Sequence, residues 1–225
     1  MNLPALVRPD LKVNAPSTPG ALKDPMSSAH LPTDVLLLRL RCHRPDVATL
    51  AQGLATATIC LELGAELCRS VWSEPSGTAY LYLRLPHRTA LSLNNLAPQF
   101  NVVSRSAQLK VSRLALMTDI PGASHGQKAN FHYAVEMTPE ASWEVELQHW
   151  YDSEHLPGLA RVPGCVHAQR YWNYDEGPKS LACYDLLDEK VVSSEAWLAV
   201  RNTAWSSRMR PRFTDAIRTT FTLQS

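Results

Sequence analysis

The feature that most constrains the fold is an order of elements that is predicted twice along the chain. Apolar periodicity and turn residues predict strand, helix, strand, strand, helix, strand in the first half, and the same order in the second. A glycine followed eight residues later by a tryptophan marks the equivalent junction in each half, Gly64 with Trp72 and Gly164 with Trp172. The pattern therefore predicts a duplicated βαββαβ unit.

A βαββαβ unit is typical of the ferredoxin-like fold, in which two helices cover one face of a four-stranded antiparallel sheet. The other face of such a sheet must be covered, and a tandem duplication supplies a second sheet in the same chain. We therefore expect an α+β protein in which tandem ferredoxin-like units are packed sheet to sheet as an internal pseudo-dimeric α/β barrel.

Two breaks in composition divide the 225 residues. Residues 1–32 are rich in proline and lack apolar periodicity, which predicts an N-terminal arm that does not fold by itself. Turn-forming residues at 123–128 predict a linker. The predicted domains are a first, degenerate ferredoxin-like copy at 33–122 and a second copy at 129–225.

Charge and hydropathy exclude several classes of partner. Lys and Arg number 22 against 21 Asp and Glu, so the formal charge of +1 gives no field that attracts nucleic acid. No run approaches the ~18 apolar residues of a membrane span, and the N-terminus lacks a secretory signal. We expect a cytoplasmic protein with no nucleic-acid or membrane partner.

The sequence also lacks the common motifs for metals and cofactors. The five cysteines are scattered and form no C-x-x-C pair, which argues against a disulfide framework or a structural zinc site. Glu146 and His149 form a single E-x-x-H pair, whereas a bundle-type di-iron site needs two. No zincin, serine-hydrolase, P-loop or dinucleotide-binding motif occurs. We therefore expect neither a metal nor a cofactor.

The stretch EVELQHWYDSEHLPGLARVPGCVHAQRY, residues 144–171, resembles the EthD-like family of the dimeric α/β-barrel superfamily. The resemblance lies in an acidic residue followed by His-Leu-Pro, a loop ending in Val-Pro-Gly and a strand ending in Arg-Tyr, and it covers about the last 95 residues. It implies a barrel with a largely apolar pocket for a small hydrophobic or aromatic substrate, and it leaves a homodimer open. Enzymes of the superfamily include aromatic polyketide cyclases, lactone isomerases and cofactor-free monooxygenases.

His155 is the principal catalytic candidate. It lies at the predicted end of an aromatic helix, which we expect Pro157 and Gly158 to terminate. With an unperturbed pKa of ~6.5, a histidine there can act as an acid or a base, or it can simply stabilise the helix end through the dipole. Trp150 and Tyr151 are the nearest aromatic residues, so they are predicted to bind substrate, or otherwise to belong to the core.

Strand alternation supplies the other candidates. It places His132 on the polar face of one strand, and it places His167 and Tyr171 on the same face of another strand as Cys165. His132, His167 and Tyr171 could therefore converge inside the barrel as further catalytic groups. A register error of one residue would reverse these faces and leave the side chains in water.

In the first half, Arg39 and Tyr82 alternate with apolar neighbours. If they line the barrel, a guanidinium and a phenol suit an anionic or phenolic substrate. If they face solvent, they have no chemical role.

These observations together predict a cofactor-independent, lyase-type enzyme acting on a small aromatic or polyketide-like substrate. The expected chemistry is acid/base-driven elimination, cyclisation, isomerisation or carbon–carbon cleavage. The alternatives are a cofactor-free monooxygenase of the same superfamily and a non-catalytic barrel that binds a hydrophobic metabolite.

Overall fold

The computed structural model describes residues 29–104 and 109–224, so most of the predicted N-terminal arm lies outside the described residues. The strands are β1 Leu31–Arg41, β2 Glu66–Ser73, β3 Thr78–Leu91, β4 Lys110–Pro121, β5 Phe131–Pro139, β6 Cys165–Asn173, β7 Ser180–Leu186 and β8 Phe213–Leu223. The α-helices are α1 Arg44–Thr56, α2 Thr58–Leu63, α3 Leu93–Ser104, α4 Glu144–Trp150, α5 Leu156–Ala160, α6 Glu195–Arg201 and α7 Ala204–Met209. Short 3-10 turns cover Ala141–Trp143, Glu189–Ser193 and Arg210–Arg212, and a π-helical turn covers Tyr151–His155. Within these ranges no helix has the length and apolar character needed to cross a bilayer.

The eight strands form a closed antiparallel barrel in the order β1-β3-β2-β8-β5-β7-β6-β4. Each half contributes a four-stranded sheet with the same internal order, β4-β1-β3-β2 and β8-β5-β7-β6. The predicted fold class, two ferredoxin-like units forming one internal α/β barrel, is confirmed. Because the barrel closes within a single chain, no second copy is needed to complete it, and a homodimer stays a prediction, as do the domain boundaries.

The two halves are also joined by strand pairing, at two seams of unequal length. The β4–β6 seam runs along most of both strands, whereas the β2–β8 seam contains only the pairs of Val71 with Leu223 and Trp72 with Thr222. Trp172 occupies the equivalent place in the longer seam, where it pairs with Ala115. The two tryptophans of the repeat therefore lie at the two junctions between the halves.

The apolar side chains form three clusters. The helices of the first half cover one outer sheet face around Leu81 and Phe100, and those of the second half cover the other around Leu147 and Trp197. A third cluster, which includes Tyr82, fills the barrel interior between the two sheets. The sheets are thus buried on both faces, which explains the nearly continuous apolar runs in several strands.

The alternation predicted for β5 is confirmed, since Tyr133 packs against the helices while His132 lies inside the barrel. In β6, Tyr171 lies inside as expected, but the placement of Cys165 on the same face is wrong. A register shift between Cys165 and His167 forms a bulge that turns Cys165 towards the helices.

Two further local differences have simple causes. The helix predicted near Thr89 begins at Leu93, because Thr89 and Leu91 instead extend β3 by pairing with β1. Gly64 and Gly164 both have a positive φ, 62° and 91°, so the repeated glycine marks a left-handed turn that leads into a strand in each half.

Candidate active site

The sequence predicted that the helix carrying the His-Leu-Pro motif ends at Pro157, and this prediction is wrong. The helix continues from α4 through the π-helical turn Tyr151–His155 into α5. Pro157 has no backbone N–H to donate to the preceding turn, and the wide π turn accommodates this loss without ending the helical segment. The consequence is that His155 lies within a continuous helical segment rather than in a loop.

The π turn brings His155 against both aromatic residues that the sequence associated with it. The imidazole stacks on the indole of Trp150 with the ring centroids 4.0 Å apart and an interplanar angle of 22°. It meets the ring of Tyr151 edge-on at 5.5 Å. The predicted grouping of these three residues is therefore present in the structure, while their roles stay predictions.

These rings form part of a cavity between the outer face of β5, β7 and β8 and the helices of the second half. The free volume is about 40 Å³, enough for a few water molecules but well below the ~300–1,000 Å³ of typical small-molecule sites. The cavity is lined by Tyr133, Val135, Met137, Trp150, Tyr151, His155, Leu159, Tyr184, Trp197, Arg201, Ser206, Arg210, Phe213 and Arg218. A molecule of ordinary substrate size would fit this space only if side chains at its rim moved aside. We call this space the helix–sheet cavity.

The helix–sheet cavity is aromatic but strongly cationic. Three arginines line it, Arg201, Arg210 and Arg218, and no carboxylate occurs among its described lining residues. The side chains of Arg201 and Arg218 form no hydrogen bond or ion pair with any residue in the described ranges, and Arg210 Nε donates to the Ser206 carbonyl at 3.3 Å. The site therefore places guanidinium groups without a carboxylate partner next to apolar rings, with Arg201 and Arg210 half-buried and Arg218 exposed.

Burial, together with the positive charges of Arg201 and Arg210, lowers the pKa of His155 to about 3. The imidazole is therefore neutral near pH 7. Its Nδ1 atom is buried with no hydrogen-bond partner in the described part of the chain, and the same holds for the indole nitrogens of Trp150 and Trp197. Buried polar atoms are normally paired, and of these three nitrogens the two indole N–H groups are donors, whereas His155 Nδ1 donates or accepts according to the tautomer.

No known family profile matches this sequence, and no curated protein matches it either. Solved structures do resemble it. A candidate monooxygenase from Fusobacterium nucleatum has a TM-score of 0.60 at 10% identity, covering 86% of this chain and 94% of its own. A candidate monooxygenase from Lactobacillus acidophilus has a TM-score of 0.58 at 13% identity, covering 87% and 95%. A chlorite dismutase variant from Candidatus Nitrospira defluvii has a TM-score of 0.53 at 11% identity, covering 86% and 92%.

The chain folds as an α/β barrel of two ferredoxin-like halves. The paired four-stranded sheets and the coverage of nearly whole neighbouring structures establish this fold. At such low identity the likeness concerns the fold alone, so the chemistry must be argued from the side chains.

Inside the α/β barrel, His132 and Tyr82 belong to a buried hydrogen-bonded chain. His132 Nδ1 lies 2.7 Å from Asp185 Oδ1, and its Nε2 lies 3.0 Å from the Tyr82 hydroxyl. Burial opposes ionisation of Asp185, but Arg69 and His132 hold the pKa of its carboxyl below the usual range. Burial lowers the pKa of His132 despite the bond to Asp185, so the neutral ring donates from Nδ1 and accepts at Nε2 from Tyr82.

Neither member of this chain is open to a substrate, because His132 and Tyr82 are completely buried. Arg39, the other predicted substrate-binding residue of the first half, is also an interior residue. Its Nη2 donates to Glu136 Oε1 at 2.7 Å, and the Tyr80 hydroxyl donates to Glu136 Oε2 at 2.7 Å. The carboxylate thus neutralises Arg39 within the barrel.

His167 and Tyr171 line a different cavity, at one end of the barrel, with a volume of about 370 Å³. His167 Nε2 is hydrogen-bonded to Asp119 Oδ1. Both residues lie on the interior face of β6, whereas His155 lies on the outer side of the sheet. The predicted catalytic residues are therefore divided between the helix–sheet cavity, the buried barrel interior and this barrel end.

Sequence reasoning missed Arg69 and Asp185, which link the barrel interior to the cavity at the barrel end. The available signal was the single carboxylate of Asp185 within the otherwise uncharged strand β7, since an isolated charge in a buried strand requires a partner. The cavity arginines Arg201, Arg210 and Arg218 were missed as well, because they come from three separate elements.

Proposed function

We propose that this protein is a small-molecule enzyme that needs no bound cofactor and acts on an aromatic or polyketide-like substrate in the helix–sheet cavity. The observation that carries the proposal is the neutral, unpartnered imidazole of His155 in an aromatic cavity with arginines and no carboxylate. The EthD-like His-Leu-Pro motif around His155 supports the same choice of site.

The lining indicates the class of substrate. Trp150, Tyr151, Trp197 and Phe213 offer ring faces for a planar apolar molecule. The indole N–H groups and the arginine guanidinium groups offer donors only, so they favour an oxygen that is negative or becomes negative. A phenol, or a carbonyl compound with an acidic C–H, combines both properties.

The proposed reaction begins when neutral His155 accepts a proton from this substrate. Because its low pKa makes the imidazole a weak base, the transfer depends on stabilisation of the substrate anion. Negative charge then develops on the substrate oxygen, where Arg201, Arg210 and Arg218 stabilise it electrostatically. The resulting anion proceeds to elimination, cyclisation, isomerisation or carbon–carbon cleavage, and a protonated His155 can return its proton to the product. Each of these outcomes uses the same first step.

A cofactor-free monooxygenase is the second candidate. It shares the proton abstraction by His155, after which the substrate anion reacts with dioxygen. The likeness to structures described as candidate monooxygenases supports it. A barrel that only binds its ligand would show neither reaction.

The test is a spectrophotometric screen of polycyclic phenols, anthrones and β-diketones with the purified protein, in air and under nitrogen. Turnover under nitrogen supports the first candidate, and turnover that requires oxygen supports the second. His155→Gln should lower kcat by about 10²–10⁴-fold, because it preserves a polar side chain while removing the base.

His149→Gln is the matched control, since His149 is exposed on the same helix and contacts Trp205 outside the cavity. It should retain full activity. Unchanged kcat in a folded His155→Gln protein would refute the assignment of the base.

A further inference from the structure

The cavity at the end of the barrel is separate from the proposed active site, because the sheet lies between them. Its volume of about 370 Å³ falls in the range of small-molecule sites. We call it the barrel-mouth cavity. It is lined by Asp34, Val35, Cys68, Arg69, Arg84, Leu85, Pro86, His87, Arg88, Leu116, Asp119, His167, Gln169 and Tyr171.

Arg69 is the buried charged group in this lining. Its side chain, only 9% exposed, crosses the barrel so that Nη2 donates to Asp185 Oδ2 at 2.5 Å and to Gln169 Oε1 at 3.1 Å. Its Nη1 atom is buried with no partner among the described residues. A buried guanidinium nitrogen without an acceptor is costly, which points to a group that is supplied from the cavity.

Tyr171 provides a second free donor in the same lining. Its side chain is almost wholly buried, yet its hydroxyl makes no hydrogen bond within the described chain. The two carboxylates of the cavity, Asp34 and Asp119, do not accept a hydrogen bond from the Tyr171 hydroxyl. Arg88 and the Leu116 N–H already donate to Asp34, and Asp119 is bonded to His167 and Gln169.

We propose that the barrel-mouth cavity binds a small aliphatic carboxylate, whose two oxygens accept hydrogen bonds from Arg69 Nη1 and the Tyr171 hydroxyl. The unpaired groups are both donors, so an acceptor-only ligand satisfies them best. The hydrocarbon part of the ligand contacts Val35, Leu85 and Leu116, which form the apolar wall. This site does not depend on the reaction proposed at His155.

Cys68 gives a local way to detect the ligand, because this residue lines the cavity and is exposed, while its thiol donates to the Tyr82 carbonyl at 3.3 Å. The experiment measures the rate of Cys68 alkylation by iodoacetamide, by mass spectrometry, against increasing pivalate. Pivalamide, which has the same shape but no charge, is the control ligand. Cys42, which lies outside the cavity, is the control thiol in the same sample.

We expect pivalate to slow alkylation of Cys68 saturably, with no effect of pivalamide and none on Cys42. Arg69→Lys keeps a cation beside Asp185 but removes the free Nη1 donor, and Tyr171→Phe removes one hydroxyl. Each should raise the half-protecting concentration at least about tenfold, because hydrogen bonds to charged groups are strong. Tyr174→Phe, which makes the same change outside the cavity, should leave it unaltered.

Three results would overturn the proposal. The first is equal protection of Cys68 by pivalamide and by pivalate. The second is no protection at about 20 mM pivalate, a concentration well above the ~1 mM dissociation constants of weak ligands. The third is unchanged protection by pivalate in Tyr171→Phe. Because Tyr171→Phe deletes a single atom that has no partner in the described structure, this last test holds even if Arg69→Lys fails to fold. None of the readouts depends on turnover at His155.

Discussion

The guanidinium of Arg69 lies 2.5 Å from Asp185 Oδ2, and this ion pair joins the first half of the barrel to the second across its interior. Both side chains are nearly buried, at 9% and 12% exposure. Asp185 also accepts the hydrogen bond from His132, its register partner on the neighbouring strand β5, so one carboxylate holds one contact across the barrel and one within the second sheet. The pair therefore links the two sheets through the interior in a barrel whose β2–β8 seam is short.

Replacing Asp185 should lower the free energy of unfolding far more than replacing Glu66, the acidic member of an exposed ion pair. Asp185→Asn leaves the buried charge of Arg69 without compensation, and we expect a loss of ~3–5 kcal/mol in the free energy of unfolding. Urea unfolding followed by tryptophan fluorescence measures this. Glu66→Gln, which breaks the exposed Arg84–Glu66 pair, should cost no more than ~1 kcal/mol. Equal losses in the two variants would contradict the buried bridge.

The depressed pKa of His155 predicts a loss of stability in mild acid. Its pKa in the folded protein, about 3, lies below the ordinary value of 6.5, so the unfolded chain binds the proton more readily. The stabilising contribution is complete above pH ~6.5 and decreases as the pH falls towards 3, by at most ~1.4 kcal/mol per pH unit. Urea unfolding between pH 7 and 4.5 should show a smaller slope in His155→Gln. Identical slopes would show that His155 is not buried in its neutral form.

Arg201 should tune the base as well as bind the substrate. Removing its charge in Arg201→Met raises the pKa of His155, so the acidic limb of the kcat/KM profile moves to higher pH. We also expect a KM about tenfold higher for an anionic substrate. Arg208→Met removes an exposed arginine that pairs with Glu146 outside the cavity, and its pH profile should match the wild type. An unmoved limb in Arg201→Met would contradict the coupling.

Alanine substitutions at two glycines with similar φ angles distinguish the cost of backbone strain from the cost of steric overlap. Gly164 and Gly126 have φ of 91° and 85°, but a Cβ at Gly164 would lie 2.5 Å from Val191 Cγ2, whereas one at Gly126 meets nothing within 4 Å. Gly126→Ala should cost ~1–2 kcal/mol from the left-handed backbone, and Gly164→Ala ~1–3 kcal/mol more. Differential scanning calorimetry of both variants checks the difference, and equal melting temperatures would show that Val191 moves freely.

Local patterns predicted much of this structure. The period of two in β5 identified its interior face, and the spacing of Trp150, Tyr151 and His155 identified the cluster that lines the helix–sheet cavity. The failures occurred where one residue changes the period. The bulge at Cys165 reversed its face, and the π turn before Pro157 extended a helix that the proline was expected to end.

The sequence by itself determined the order of elements and which face of each strand is apolar, because both follow from short-range periodicity that duplication repeats. Because the apolar faces of the two predicted sheets must cover each other, the sequence also predicted the closed barrel. Only the tertiary structure decided that His155 lies outside the sheet, that Tyr171 lies inside it, and that Arg69 meets Asp185 116 positions along the chain. Such relationships depend on the register at two seams and on bulges within the strands, where a shift of one residue moves a side chain to the opposite face.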